Sequence, residues 1–300
     1  MFDLRYHVAS LTAVFLALII GILVGVGISS GGFVRKSERR ILNDRISELE
    51  HRLEVAQLRG GELSRAQRAS DTFIEQSYPV LMTRLLEKKR VGVVFIGAVD
   101  PEERALVEQT LSDAGGGNPL RMRAIRVPVD LEALDRVLAE RPALARFAKV
   151  EGARDLGRRL AQEFAKGGKA PVWRLLAPEL VEERTGSDKG PADAIVVVRS
   201  ALPQQGATAR LLRGFYEGLA VAGVPAVGVE TSRRSPTAVD AYEKARLSSV
   251  DFVESRVGRL ALALLLAGAE PGNYGLKPTA TDGIMPMVPP LTEARASTGG

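Results

Sequence analysis

The sequence contains no cysteine and only two histidines, His7 and His51, among its 300 residues. The absence of thiols excludes a disulfide scaffold, a thiolate zinc site, an iron–sulfur cluster and a cysteine nucleophile. Because both histidines lie near the N-terminus, a histidine-based catalytic triad and a His-rich metal site are excluded from the rest of the chain. The composition, 45% hydrophobic and 26% charged, is otherwise that of an ordinary folded protein.

Neither sign of charge dominates, since 41 Lys and Arg stand against 36 Asp and Glu. The excess lies in residues 35–90, which hold 13 basic against nine acidic side chains, whereas residues 91–270 hold 25 against 24. A nucleic-acid-binding domain would carry its basic surface on the globular body. We therefore expect no nucleic-acid partner.

A long apolar run lies near the N-terminus, with no charged residue between Arg5 and Arg35. As a helix, residues 8–28 would span about 31 Å, which matches the hydrocarbon thickness of a bilayer. The alternative is a cleaved signal peptide, but such peptides have a shorter apolar region of about 7–15 residues after a basic segment. We therefore predict a single-pass transmembrane anchor over residues 1–34, in contact with membrane lipid.

Residues 35–90 carry the pattern of a coiled-coil stalk, because apolar residues from position 42 onwards repeat at alternating spacings of four and three. Within the anchor, two glycines four residues apart would let membrane helices approach closely. A single amphipathic helix lying on its own globular domain would explain the stalk pattern alone, whereas a parallel dimer explains both. We therefore predict a homodimer or higher oligomer, with a helix–helix interface formed by Gly21, Gly25, Leu42, Ile46, Leu49 and Leu53.

Residues 91–270 alternate between strand-like and helix-like segments. Continuous apolar runs at 91–96, 194–198 and 226–229 predict buried strands, and residues 172–176 are predicted as a further short strand. Apolar strands separated by helices indicate a mostly parallel sheet covered on both faces. The predicted fold class is α/β: an N-terminal transmembrane helix and coiled-coil stalk, then a mostly parallel α/β sandwich domain, with a flexible tail over residues 271–300.

Polar residues gather where the predicted strands end, and ligands of such sheets bind at the carboxyl ends of the strands. The candidate crevice consists of Asp100, Arg199, Glu230 and Asp251. The plainer alternative is that these residues are ordinary helix caps and loop positions. One hypothesis for function is a hydrolase or transferase site at these four residues. However, the chain has no dinucleotide fingerprint, phosphate-binding loop or nucleophile elbow. We therefore predict no enzymatic activity, no catalytic residue and no cofactor.

Met285 and Met287 form the one paired-thioether motif of the sequence. Soft thioether ligands suit Cu(I), so the pair is the candidate metal site of the chain. The alternative is that two methionines meet in a loop without binding a metal.

Several segments of the chain resemble one known family, the MctB copper-transporter family (mycobacterial copper transport protein B). The similar segments are Leu4-Arg5-Tyr6-His7, Ser10-Leu11, residues 13–18 followed by Gly21 and Gly25, Val229-Glu230, residues 248–251, Val257-Gly258-Arg259, and Gly272-x-Tyr274-Gly275 with Lys277. The resemblance implies a role in copper homeostasis through copper efflux across the cell envelope. It further implies an envelope or outer-membrane location, with copper as the transported ion.

Two observations point to different sides of the membrane. The resemblance places the body in the envelope, whereas Arg35, Lys36, Arg39 and Arg40 follow the apolar run, and such basic flanks favour the cytoplasmic side. The same four residues would also suit anionic lipid headgroups. A functional alternative to copper homeostasis is a non-catalytic coiled-coil scaffold that recruits partners to the membrane through its α/β head.

Overall fold

A computed structural model of the protein describes residues 4–29 and 32–288, with side chains for residues 6–27 and 40–288. The chain divides into two compact units, residues 1–70 and 71–300. Residues 289–300 of the predicted tail therefore lie outside the described residues.

The described part of the first unit contains one helix and most of another, whose last residues belong to the second unit. Helix α1 covers Leu4–Ser29, and its segment Tyr6–Gly27 has a mean hydropathy of 2.6, with none of it buried. This helix is long and apolar enough to span a membrane. Helix α2 covers Gly32–Met82 and continues without a break through the glycine pair at 60 and 61.

The predicted seam of α2 is uncovered in the single chain. Leu42, Ile46, Leu49 and Leu53 are all exposed, and Ile46, the least exposed of them, leaves 49% of its surface open. The helical part of the stalk prediction is thus confirmed, and its pairing with a second helix stays a prediction.

The described part of the second unit holds a seven-stranded sheet in the order β3-β2-β1-β4-β5-β6-β7. The strands are β1 Val91–Ile96, β2 Arg121–Ile125, β3 Val181–Gly186, β4 Ala194–Arg199, β5 Ala226–Val229, β6 Ser248–Val250 and β7 Asn273–Tyr274. All neighbouring strands run parallel except β3, which is antiparallel to β2 at one edge of the sheet. The sheet is therefore mixed, and the predicted α/β class is confirmed.

Helices cover both faces of this sheet. They are α3 Pro101–Asp113, α4 Leu131–Ala139, α5 Lys149–Lys166, α6 Pro171–Leu180, α7 Gly206–Ala220, α8 Val239–Lys244 and α9 Arg256–Ala267, with a 3-10 turn at Pro142–Phe147. Along β4, Ile195 and Val197 pack into one core with α4 to α8, whereas Val196 and Val198 pack into a second core with α3 and α9. Because successive side chains of a strand point to opposite faces, the continuous apolar run of β4 supplies apolar side chains to both cores.

Helices α5 and α7 approach each other unusually closely. A Cβ atom on Gly214 would lie 1.9 Å from the carbonyl oxygen of Arg154, and one on Gly157 would lie 2.0 Å from that of Leu211. Both distances are far below van der Waals contact, so glycine is required at these two positions. The close approach also brings Glu217 of α7 within reach of arginines on α5.

Three segments differ from the sequence-based expectation. Residues 172–176, predicted as a strand, belong to α6, because Pro171 stands at its first turn and Val172, Leu176 and Leu180 bury one helical face. Strands β3 and β7, at the two edges of the sheet, were not predicted: β3 is mostly exposed and polar, and β7 has only two residues, within the segment predicted as a tail. An edge strand of this kind has no apolar run by which to predict it.

Candidate functional site

The four residues of the candidate crevice follow β1, β4, β5 and β6 or end them, and they lie at the carboxyl edge of the sheet. Because these strands are parallel neighbours, their carboxyl ends meet at the same edge. Each of the four side chains has hydrogen-bond partners within the chain, which determine what it can do.

Asp100 caps helix α3. Its Oδ1 accepts hydrogen bonds from the backbone N–H groups of Glu102 (2.9 Å) and Glu103 (3.2 Å). This is the ordinary task of an aspartate at a helix N-terminus. Its Oδ2 lies 3.8 Å from Nη2 of Arg234, a residue that the sequence analysis did not single out.

Glu230 is buried, and its carboxylate is fully engaged. It accepts hydrogen bonds from the Lys277 ammonium (2.5 Å), the Thr237 hydroxyl (2.6 Å) and the Ala238 backbone N–H (2.6 Å). Lys277 Nζ also donates to the Arg234 carbonyl oxygen at 2.8 Å. The ion-pair partner and the two further donors offset part of the cost of burying this carboxylate.

Asp251 is buried as well and accepts hydrogen bonds from backbone N–H groups. Its two carboxylate oxygens accept from the N–H groups of Leu276 (2.8 Å) and Lys277 (3.0 Å). The chain passes close to this carboxylate at Gly275, where an added Cβ would lie 1.9 Å from Oδ1 of Asp251. Glycine is therefore needed at position 275, and Asp251 ties residues 275–277 to the end of β6.

Arg234 completes the ionic network. Its Nη2 donates to Oε1 of the buried Glu103 at 2.6 Å, and its Nη1 donates to the Ser200 carbonyl oxygen at 3.2 Å. Burial raises the pKa of the Glu103 carboxyl, although the neighbouring guanidinium of Arg234 acts in the opposite direction. Asp100, Glu230 and Asp251 are thus brought into one network with Arg234 and Lys277, and this network joins the loops at the sheet edge.

Arg199 differs from the three acids. Its Nη2 donates to the carbonyl oxygens of Pro236 (2.9 Å) and Thr237 (2.7 Å), and no carboxylate of the described residues forms an ion pair with it. Arg199 is therefore a buried guanidinium that is held by neutral acceptors alone.

Lys277, Arg234 and Glu103 belong to this network and were not predicted as site residues from the sequence. Lys277 stands beside a similarity segment, but its partner Glu230 is 47 residues away along the chain. No spacing pattern predicts a pairing at that distance, since it depends on which strands are neighbours.

The paired methionines lie in different environments. Met285 packs against the core formed with α9, whereas Met287 is 86% exposed. The other described methionines, Met82 and Met122, are buried. Among residues 4–29 and 32–288, no group of three His, Asp or Glu side chains is placed to hold a metal ion. Metal binding by Met285 and Met287 stays a prediction.

Comparison with known proteins gives one clear result. No curated protein matches the chain. A family model, described as copper transport outer membrane protein, MctB, matches residues 1–285. The match includes the apolar helix α1, the long helix α2, the entire sheet and Met285, and it agrees with the resemblance noted from the sequence. The chain therefore belongs to the MctB family of copper transport outer membrane proteins.

Proposed function

We propose that this protein is a membrane-anchored, non-enzymatic component of copper export across the cell envelope. The observation that carries this proposal is the family match over residues 1–285, which spans both the apolar helix and the α/β body. Copper is the cargo in this proposal, and the protein needs no resident cofactor.

Helix α1 serves as the anchor in this proposal. Its apolar side chains are exposed throughout Tyr6–Gly27, so the helix requires an apolar surrounding such as lipid. The basic residues 35–40 would then contact anionic headgroups, at about 1 kcal/mol per charge near the membrane surface. This assignment agrees with an envelope location of the body and needs no cytoplasmic orientation.

Self-association is a further part of the proposal. A single apolar helix encloses no polar path for an ion, and lipid-facing backbone cannot supply one. Gly21 and Gly25 permit close helix contact in lipid, and the exposed seam from Leu42 to Leu53 offers a matching contact outside it. We therefore assign the protein a parallel homodimer, or a higher oligomer built from it.

Contact with copper is assigned to soft side chains that solvent can reach. Met287 is such a side chain on the body. The imidazole of His51, exposed on α2, is a further group that copper accepts as a ligand. A transported ion must be released as well as bound, so weak and separated ligands suit this function better than a closed cage.

Deletion and complementation test this function. A strain lacking the protein should accumulate copper and lose copper tolerance, and the full chain should restore both. A chain lacking residues 4–29 should fail to restore them, because its body is no longer anchored. Exchange of Met287 for Leu, which keeps the volume and removes the thioether, tests the copper contact against wild type.

The competing function is a scaffold that recruits partners to the membrane through the α/β head. Unchanged copper content and copper tolerance in the deletion strain would contradict copper export. The scaffold reading would then be supported if membrane recovery of a co-purifying protein required residues 4–29.

A further inference from the structure

A cavity of about 360 Å³ opens beside the end of β4, on the face of the sheet covered by α7 and α8. Its walls come from the segment after β4, from α7 and from the segment that leads into α8. Pro203 and Leu212 contribute apolar surface, and the aromatic side chain of Tyr216 closes one side. The volume falls near the lower end of the range of about 300–1,000 Å³ that is typical of small-molecule sites.

The charged groups that line the cavity are unbalanced. Arg199, Arg213 and Lys244 are three cations, and Asp240 is the one carboxylate among the lining residues. In the described part of the chain, none of the three cations forms an ion pair. Three cations against one carboxylate give the lining a formal net charge of +2, which favours an anionic ligand.

Two buried polar groups in the wall lack hydrogen-bond partners. Arg199 is 7% exposed and its Nε has none, and Tyr216 is 4% exposed and its hydroxyl has none. Buried donors without partners are rare in folded proteins and call for an explanation such as a missing ligand. Burial raises the pKa of the Tyr216 hydroxyl, so this group keeps its proton and is a hydrogen-bond donor at neutral pH.

The wall is also held in place before any ligand arrives. Arg199 Nη2 fixes the carbonyl groups of Pro236 and Thr237, and Glu230 accepts from the hydroxyl of Thr237 and from the next backbone N–H. A site that is ordered in advance loses less entropy when a ligand binds. These contacts hold the guanidinium of Arg199 in place and leave its Nε without a hydrogen-bond partner. A guanidinium pairs well with the oxygens of carboxylates and phosphates.

We propose that this cavity is a binding site for a small organic anion, in which a carboxylate or phosphate group meets Arg199, Arg213 and the Tyr216 hydroxyl while an apolar portion packs on Pro203 and Leu212. The position of the site at the carboxyl edge of a parallel sheet is the place where such folds bind ligands. The proposal is independent of copper transport and assigns the body a second binding capacity.

Calorimetric titration of the full-length protein, in uncharged detergent micelles and phosphate-free buffer, tests this site. The probes are phenyl phosphate, benzoate and the uncharged benzyl alcohol, which share one ring and differ in the polar group. We expect one or both anions to bind and benzyl alcohol not to bind. A preference for phenyl phosphate would assign a phosphoryl ligand, and a preference for benzoate would assign a carboxylate.

Variants separate the cavity from general surface charge. Arg199→Met and Arg213→Met should each weaken anion binding by about tenfold or more, since both would remove a charged hydrogen-bond donor. Tyr216→Phe should weaken it a few-fold without lowering thermal stability, because its hydroxyl has no partner to lose. Arg210→Met is the matched control, since Arg210 is an exposed arginine of α7 that does not line the cavity.

Two results would overturn the proposal. One is the absence of binding by both anions to the folded wild-type protein, and the other is an equal loss of binding in Arg210→Met and Arg213→Met. If Arg199→Met does not fold, the comparison of Arg213→Met with Arg210→Met still tests the proposal. Arg213 is exposed, so its replacement removes charge without disturbing the core.

Discussion

Glu217 on α7 is held by two arginines of α5. Its Oε2 accepts from Nε of Arg154 at 2.9 Å and from Nη2 of Arg158 at 2.8 Å. These guanidinium groups lower the pKa of the Glu217 carboxyl, with the hydrogen bond from Arg154 as the largest cause. A carboxylate of this kind stabilises the fold above its ordinary pKa, and the stabilisation is lost as the pH falls through its folded pKa.

Glu217→Gln should therefore lower the free energy of unfolding by about 1 kcal/mol at pH 7, because partly exposed ion pairs contribute on that scale. Below the ordinary glutamate pKa of 4.5, the difference between wild type and variant should shrink, since protonation removes the same charge from the wild type. Denaturant unfolding of the full chain in micelles at both pH values measures this difference. Glu140→Gln, at an exposed residue after α4, is the control, and a pH-independent difference would contradict the assignment.

Residues that look alike in the sequence differ in their hydrogen-bond partners. Asp100, Glu230 and Asp251 all follow strands, and each is engaged by a cap, a buried ion pair or backbone N–H groups. Arg199 is the last residue of its strand, and its Nε has no hydrogen-bond partner. The difference between a structural residue and a ligand-binding one thus rests on hydrogen-bond partners that come from distant segments.

At the scale of single elements, the apolar seam of α2 is exposed and has no partner helix within the described chain. A 51-residue helix with an exposed apolar seam is unusual for a single chain in water, since exposed apolar patches mark contact surfaces. The heptad spacing places Ile46 and Leu49 at seam positions and Ser47 on the outer side. A parallel dimer would bring each seam residue next to its own copy.

Cysteine crosslinking in membranes tests this pairing, and the natural absence of cysteine makes each single variant unambiguous. Ile46→Cys and Leu49→Cys should form disulfide-linked dimers under mild oxidation, because short Cβ separations are required for the bond. Ser47→Cys, a near-isosteric control between them, should stay largely monomeric on non-reducing gels. Equal crosslinking at all three positions, or none at any, would argue against a parallel seam.

For the whole molecule, the side of the membrane on which the body lies decides whether the protein can export copper through the envelope. The envelope location proposed above requires that residues after the anchor lie outside the cytoplasm. Ser47→Cys should then react with a membrane-impermeant maleimide in intact cells, since Ser47 is exposed on α2. Labelling that occurs only after lysis would place the body in the cytoplasm, as the basic residues 35–40 would favour, and would exclude direct export through the envelope.

Much of the fold could be predicted from the sequence. The apolar run of α1 and the strands β1, β4 and β5 follow from local composition, because continuous apolar runs are typical of membrane helices and of strands buried on both faces. The family could be recognised for the same reason, since its similar segments are short and continuous. Residues 172–176 were predicted wrongly because a short apolar run suits a buried helix face as well as a strand.

Only the tertiary structure decided how the site is assembled. The pairing of Glu230 with Lys277, and of Glu103 with Arg234, joins segments 47 and 131 residues apart, and it exists because the strand order places their loops at one edge. The cavity beside Arg199 likewise requires α7 and α8 to meet over the end of β4. Periodicity acts over a few neighbouring residues, whereas partners in space depend on the order of strands in the sheet, and that order is a property of the packed chain.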